Sequence, residues 1–195
     1  ILSALDPRVV YDQRDSGLFP TSGYQIAWTH EVAGGPFGGD FDYYKMLIDY
    51  DHFFTVHTTE TDGKHVLVLS TKLGYVTEIA GAENVPIFER FFGGGIGSVR
   101  GFEYRTISPK EFNEPVGGNA MVFTTAEYTF PLYRTEINNI DQDILRGAVF
   151  VDAGNVQKDF GEMDMNELRV AAGFGLRFTI PKLGNVPVSL DFGFP

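Results

Sequence analysis

The chain has 195 residues, a formal net charge of −11, 23 glycines, 18 phenylalanines, 9 tyrosines and no cysteine. The acidic balance argues against a nucleic-acid partner, and the missing cysteines exclude a disulfide framework, a zinc–thiolate site and a cysteine nucleophile. With 43% hydrophobic and 21% charged residues the chain is not disordered, and its length fits a single domain.

Apolar and polar residues alternate with period two in eight segments, the spacing of half-buried strands. Arg8–Asp15 is a short strand. Gly23–Val32 sets Tyr24, Ile26 and Trp28 on one side. Asp42–Val56 sets Tyr44, Met46, Ile48, Tyr50 and Phe54 against Lys45, Asp49 and Asp51. His65–Val76 sets Leu67, Leu69, Leu73 and Tyr75 against Ser70, Lys72 and Gly74. Asn119–Phe130 alternates Val122, Ala126, Tyr128 and Phe130 with a set containing Thr125 and Glu127. Leu145–Val156 places Val149 and Val151 opposite Phe150 and Asp152. Leu168–Ile180 carries Val170, Phe174, Leu176 and Phe178 on one face, with Gly173, Gly175 and Arg177 on the other. Val186–Phe194 sets Val188, Leu190, Phe192 and Phe194 against Ser189, Asp191 and Gly193.

The links between these strands alternate in length. Asp15–Gly23, Thr58–Gly63 and Pro181–Asn185 are short, whereas Ala33–Phe41, Thr77–Gly118 and Lys158–Glu167 are long. Pro131–Asp143 breaks the rule, being long where a short turn is expected. The pattern is that of an all-β antiparallel meander, and short turns opposite long loops mark a transmembrane barrel. A soluble lipocalin-like barrel would alternate in the same way, with its polar face outward. Strand lengths near the roughly 9–11 residues that cross a bilayer favour the membrane reading. So do the aromatics near strand ends and the isolated charges set among glycines on the other face. No run of about 18 apolar residues exists, so no transmembrane helix is expected. The start, Ile1-Leu2-Ser3-Ala4, is not a signal peptide, which suggests a processed product or a piece of a longer chain.

One link stands out. Phe91-Phe92-Gly93-Gly94-Gly95-Ile96-Gly97-Ser98-Val99-Arg100-Gly101-Phe102 holds a single charge, Arg100. A planar guanidinium suits paired carboxylates, and Glu127 and Asp152 both fall on the polar faces of later strands. On the residues alone, Arg100 could equally be an ordinary surface arginine. The glycine run lacks the Gly-Lys-Ser/Thr ending of a phosphate loop. There is no Gly-x-Ser-x-Gly elbow. His30, His52, His57 and His65 have no metal-ligand spacing. No catalytic residue, metal or cofactor is therefore expected.

Four ordered motifs carry a resemblance. They are Tyr11-Asp12-Gln13-Arg14-Asp15 with Leu18-Phe19-Pro20-Thr21-Ser22-Gly23-Tyr24, then Pro86–Gly94 running into Val99-Arg100-Gly101-Phe102, then Val116-Gly117-Gly118-Asn119-Ala120, then Phe150-Val151-Asp152-Ala153-Gly154-Asn155-Val156. Together they resemble the C-terminal half of the barrel in the outer-membrane-protein-85 superfamily, the bacterial surface antigen family. The resemblance implies strands eight to fifteen of a sixteen-strand transmembrane β-barrel, with residues 1–195 as one barrel domain. It also implies that the loop 79–118, the family's hallmark loop, folds into the lumen. There Gly93, Gly94, Val99, Arg100, Gly101 and Phe102 would form its motif, and Arg100 would pair with Glu127 and Asp152 as a structural latch.

The implied function is non-enzymatic assembly and insertion of β-barrel clients through a lateral seam in a Gram-negative-type outer membrane. The implied partners are the lipid bilayer, unfolded outer-membrane clients and accessory lipoproteins. A polypeptide-secretion pore and the barrel anchor of a patatin-like phospholipase are the alternatives within the family. The resemblance also leaves periplasmic POTRA modules upstream and one more strand downstream to be expected.

Overall fold

The computed structural model describes residues 1–79, 84–137, 140–180 and 186–195. The described residues form eleven strands: β1 Ala4–Leu5, β2 Arg8–Asp12, β3 Gly23–Ala33, β4 Tyr43–Thr58, β5 Lys64–Glu78, β6 Lys110–Glu111, β7 Glu114–Pro115, β8 Ala120–Ile137, β9 Ile140–Gln157, β10 Arg169–Ile180 and β11 Val186–Phe194. Nine of them form one antiparallel sheet in the order β1-β3-β4-β5-β8-β9-β10-β11, with β2 also on β3. Helix among the described residues is limited to 3-10 turns of three residues.

β1 and β2 are two halves of one edge strand. Both pair with β3, β1 at Val32–Ala33 and β2 at Gln25–Thr29. Asp6-Pro7 interrupts them because proline has no N–H to give to a ladder, although the Pro7 carbonyl still accepts from His30 N at 3.0 Å. Thus the eight alternating segments all become strands. The sheet is open: among the described residues neither the β1/β2 edge nor β11 pairs with a further strand.

The Pro131–Asp143 exception is corrected. β8 runs on to Ile137, β9 begins at Ile140, and these two residues are partners. The ladder absorbs Pro131 by register shifts at Pro131/Tyr133 and Tyr133/Arg134, the behaviour of a bulge. The connection is therefore short, and the alternation of short turns and long loops holds at this hairpin too. The Pro181–Asn185 turn lies outside the described residues.

The first short turn is held by Asp15. Its carboxylate accepts from the Thr21 N–H at 2.8 Å, the Ser22 N–H at 3.1 Å and the Thr21 hydroxyl. Burial pushes this carboxyl up, but those bonds outweigh it and hold its pKa at about 2.

The two faces of the sheet differ in kind. The convex face exposes large apolar side chains, among them Trp28 at 47%, Phe174 at 53% and Phe192 at 48%. The charges sit on the concave face, where a cluster of Tyr43, Val76, Phe123, Val156 and Ala171 packs against Val85, Phe91, Val99 and Ile107 of the long loop. The hydrophobic core therefore lies inside the lumen, between the wall and the loop. That arrangement answers what alternation leaves open: a soluble barrel would expose its polar face, and this one exposes its apolar face. The folded chain is expected to need detergent or lipid. Cooperative folding as a soluble monomer in plain buffer would overturn the membrane reading.

Candidate functional site

Four strands supply one wall of the site. Direct antiparallel partners share a face, and the ladders align Thr125 with Asp152, Glu127 with Phe150, Phe150 with Gly173, Gly173 with Gly193, and Gly175 with Asp191. The inward row thus carries acids and Phe150 on β8 and β9, then glycines toward β11. A Cβ at Gly173 would come within 2.4 Å of the Phe150 ring. The absent side chain is what lets Phe150 lie flat along the wall.

The loop enters this groove through short backbone bridges. Phe91 N–H donates to Gly118 O at 2.8 Å and Gly93 N–H to Ile107 O at 2.8 Å, each with a return bond at 3.0 Å. Gly94 turns the chain at φ +105°, in the left-handed region that favours glycine. Gly93 is needed for space instead, since a Cβ there would lie 2.6 Å from the Phe123 ring. The amides of this glycine run are used within the loop: Gly94 N–H donates to Ser98 Oγ at 2.9 Å and Gly95 N–H to Val99 O at 3.1 Å. A second tether is Lys45 Nζ to Glu89 at 3.0 Å. Farther along, β6 and β7 form a small hairpin whose tip residues Phe112 and Asn113 both have positive φ.

Val99 is fully buried and Phe102 packs against the lumenal core. Between them, Arg100 reaches the wall. Its Nε donates to Asp152 Oδ2 at 2.7 Å, its Nη2 to Asp152 Oδ1 at 2.8 Å, and its backbone N–H to Asp152 Oδ2 at 3.0 Å. Nη1 donates to Glu127 Oε2 at 2.8 Å. The guanidinium carbon lies 3.3 Å from the centre of the Phe150 ring, a stacked cation–π contact. Thr125 Oγ1 donates to Asp152 at 2.8 Å. Asp152 therefore has its lone pairs filled while its side chain is only 1% exposed. A buried carboxylate requires such partners. Gly101, at φ +91°, rests on Gly193 of β11.

The structure brings together Arg100, Glu127 and Asp152, and it adds two residues that sequence reading missed as partners. Arg177 Nη2 donates to Glu127 Oε2 at 2.7 Å and its Nη1 to Asp191 Oδ1 at 2.5 Å. Asp191 Oδ2 also lies 3.5 Å from Arg100 Nη1. The signal was present only as face: both residues sit on the polar side of their strands, but the cross-strand register that unites them is not legible in one sequence. The four histidines lie on the outer face beside aromatic rings, for example His65 with Tyr128 Oη at 2.7 Å. No group of three metal-ligating side chains forms among the described residues. Toward the short-turn end, Glu127 and Arg177 roof an open cavity of about 580 Å³.

The whole chain, residues 1–195, matches the Omp85 superfamily domain. It belongs to the Omp85 superfamily. The chain is 32% identical over 198 residues to the outer membrane protein assembly factor BamA of Nitratidesulfovibrio vulgaris, covering 100% of this chain and 23% of that protein. Against BamA of Neisseria meningitidis serogroup B it is 33% identical over 150 residues, covering 74% of this chain and 17% of that protein. The fold matches the crystal structure of BamA from Haemophilus ducreyi lacking POTRA domains 1–3 with a TM-score of 0.79 at 26% identity, over 98% of this chain and 38% of that one. The chain thus spans a quarter or less of the length of these two BamA relatives. It is a segment of an Omp85 outer-membrane β-barrel, and its relatives are assembly factors.

Proposed function

We propose that this chain is part of the barrel of an outer-membrane protein assembly factor, which folds and inserts β-barrel clients through a lateral seam. One observation carries the reading: the loop is folded back into the lumen and held there by Arg100 between Asp152 and Glu127. In this reading the three residues are a structural latch, not a catalytic site. The groups that act on a client are backbone N–H and C=O at an unpaired strand edge, which a nascent strand joins by β-augmentation. Such an edge is costly in lipid, so it favours strand capture. The work needs no nucleophile, cofactor or metal, and the barrel is not an enzyme. Its partners are the bilayer around the apolar outer face, unfolded outer-membrane clients, and accessory lipoproteins at the periplasmic end.

The test is reconstitution of the full-length protein in liposomes with a urea-unfolded client barrel. Insertion is read as the heat-modifiable gel shift of the client. A client folding rate well above that of empty liposomes is expected. A rate equal to that of empty liposomes, with protease-protected transport of a soluble polypeptide instead, would replace the insertase reading with the secretion pore.

A further inference from the structure

The latch contacts extend into a closed circuit of charge. Glu127 Oε2 is shared by two guanidiniums, Arg100 at 2.8 Å and Arg177 at 2.7 Å. Asp191 is likewise shared, by Arg177 at 2.5 Å and Arg100 at 3.5 Å. Arg100, Glu127, Arg177 and Asp191 therefore form a ring in which each charge has an opposite charge on both sides. The four side chains are only 14–20% exposed, so solvent screens the ring weakly. Its members come from the loop, β8, β10 and β11.

Beside the ring the loop touches β11 a second time. A Cβ on Gly193 would lie 2.7 Å from Gly101 N and 2.8 Å from Arg100 C, so two backbones meet with nothing between them. β11 is laddered to β10. On its inner face, Asp191 and Gly193 are the positions that meet the loop and the ring.

We propose that Arg177 is a positioning residue that closes this ring, and that through it the docked loop clamps β11. Loop release and loosening of β11 are then one equilibrium. Arg177 orients Glu127 toward Arg100 while it holds Asp191 against the lumen wall. Without it, two carboxylates face a single guanidinium already committed to Asp152. The inference rests on the assembly-factor reading only for its meaning: there, β11 lies next to the seam that must open. It makes loop position the regulator of β11.

The test is hydrogen exchange of the peptide covering residues 186–194, read by mass spectrometry in the full-length protein in nanodiscs. Arg177→Gln is expected to speed its exchange by about 5-fold or more. Arg100→Ala should do the same, although Arg100 belongs to a different element. The double variant should exchange no faster than the faster single one, because both act on one equilibrium. Arg177→Lys should restore protection only in part, since a point charge cannot span two acids. If Arg177→Gln does not give a heat-modifiable folded band, Asp191→Asn, which preserves shape, is expected to give the same loosening.

Arg100→Ala that frees residues 93–107 yet leaves 186–194 at the wild-type rate would overturn the clamp, as would additive effects in the double variant. Client insertion measured in parallel separates the two readings. Linked exchange with a client folding rate no higher than that of empty liposomes would uphold the clamp and count against the insertase.

Discussion

Arg100→Ala is expected to undock the loop and to be among the most destabilising single changes in the barrel. The side chain makes three charge-assisted bonds and its backbone N–H a fourth. A wet lumen would limit the loss to about 1–3 kcal/mol. Asp152, however, is only 1% exposed, and removing one partner of a buried pair costs roughly 3–5 kcal/mol. The larger range is expected. Arg100→Lys should recover little, because one ammonium cannot reproduce a fork that grips Asp152 with two nitrogens and Glu127 with a third.

The two acids should behave unequally. Glu127 keeps the Arg177 guanidinium when the Arg100 side chain is lost, whereas Asp152 keeps no charged partner, only the Thr125 hydroxyl and the backbone N–H of residue 100. A double-mutant cycle of Arg100→Ala with Asp152→Asn should therefore show stronger coupling than one with Glu127→Gln. The measurement is urea unfolding of the full-length protein in detergent. Effects that add to within about 0.5 kcal/mol in the Asp152 cycle would remove the latch from the account.

Most of the strands were legible because a strand writes its two faces into the sequence with period two. Leu168–Ile180 and Val186–Phe194 show this well, and their inward and outward sets are those of the structure. The continuation of β8 past Pro131 was not legible, for a local reason. A missing N–H argues against a strand interior, and only the partner strand reveals that a bulge accommodates it. Arg100, Glu127 and Asp152 could be singled out because a motif and a face each pointed to them. Arg177 and Asp191 could not. Arg177 lies 50 residues from Glu127 and 14 from Asp191, and what joins them is the register of β8, β9, β10 and β11. A one-residue slip at any ladder would put these charges on the other face. The same limit hides Gly193, which reads as a plain strand glycine until the loop is laid upon it.

Gly101→Val is the second large effect expected, and its cause is space rather than charge. Gly101 has φ +91°, where an L side chain is strained by roughly 1–3 kcal/mol. A Cβ there would meet Gly193 C at 2.8 Å, Phe194 N at 2.9 Å and Gly193 O at 3.0 Å. All three are backbone atoms of a strand in register with β10, so none can turn aside as a flexible side chain would. Relief requires either β11 to shift or the loop to lift, and lifting also pulls Arg100 off Asp152. Overpacking adds about 1–3 kcal/mol to the strain, so the docked loop should be largely lost. Gly193→Ala should fail in the same way from the other side. Glu111→Ala and Glu114→Ala, on the exposed hairpin of the same loop, should stay within about 0.5 kcal/mol. Heat-modifiable gel mobility of the full-length protein, compared across the four variants, decides the matter. If Gly101→Val and Gly193→Ala run as folded as the hairpin variants, the loop does not rest on β11 and the close backbone contact has no role in holding it.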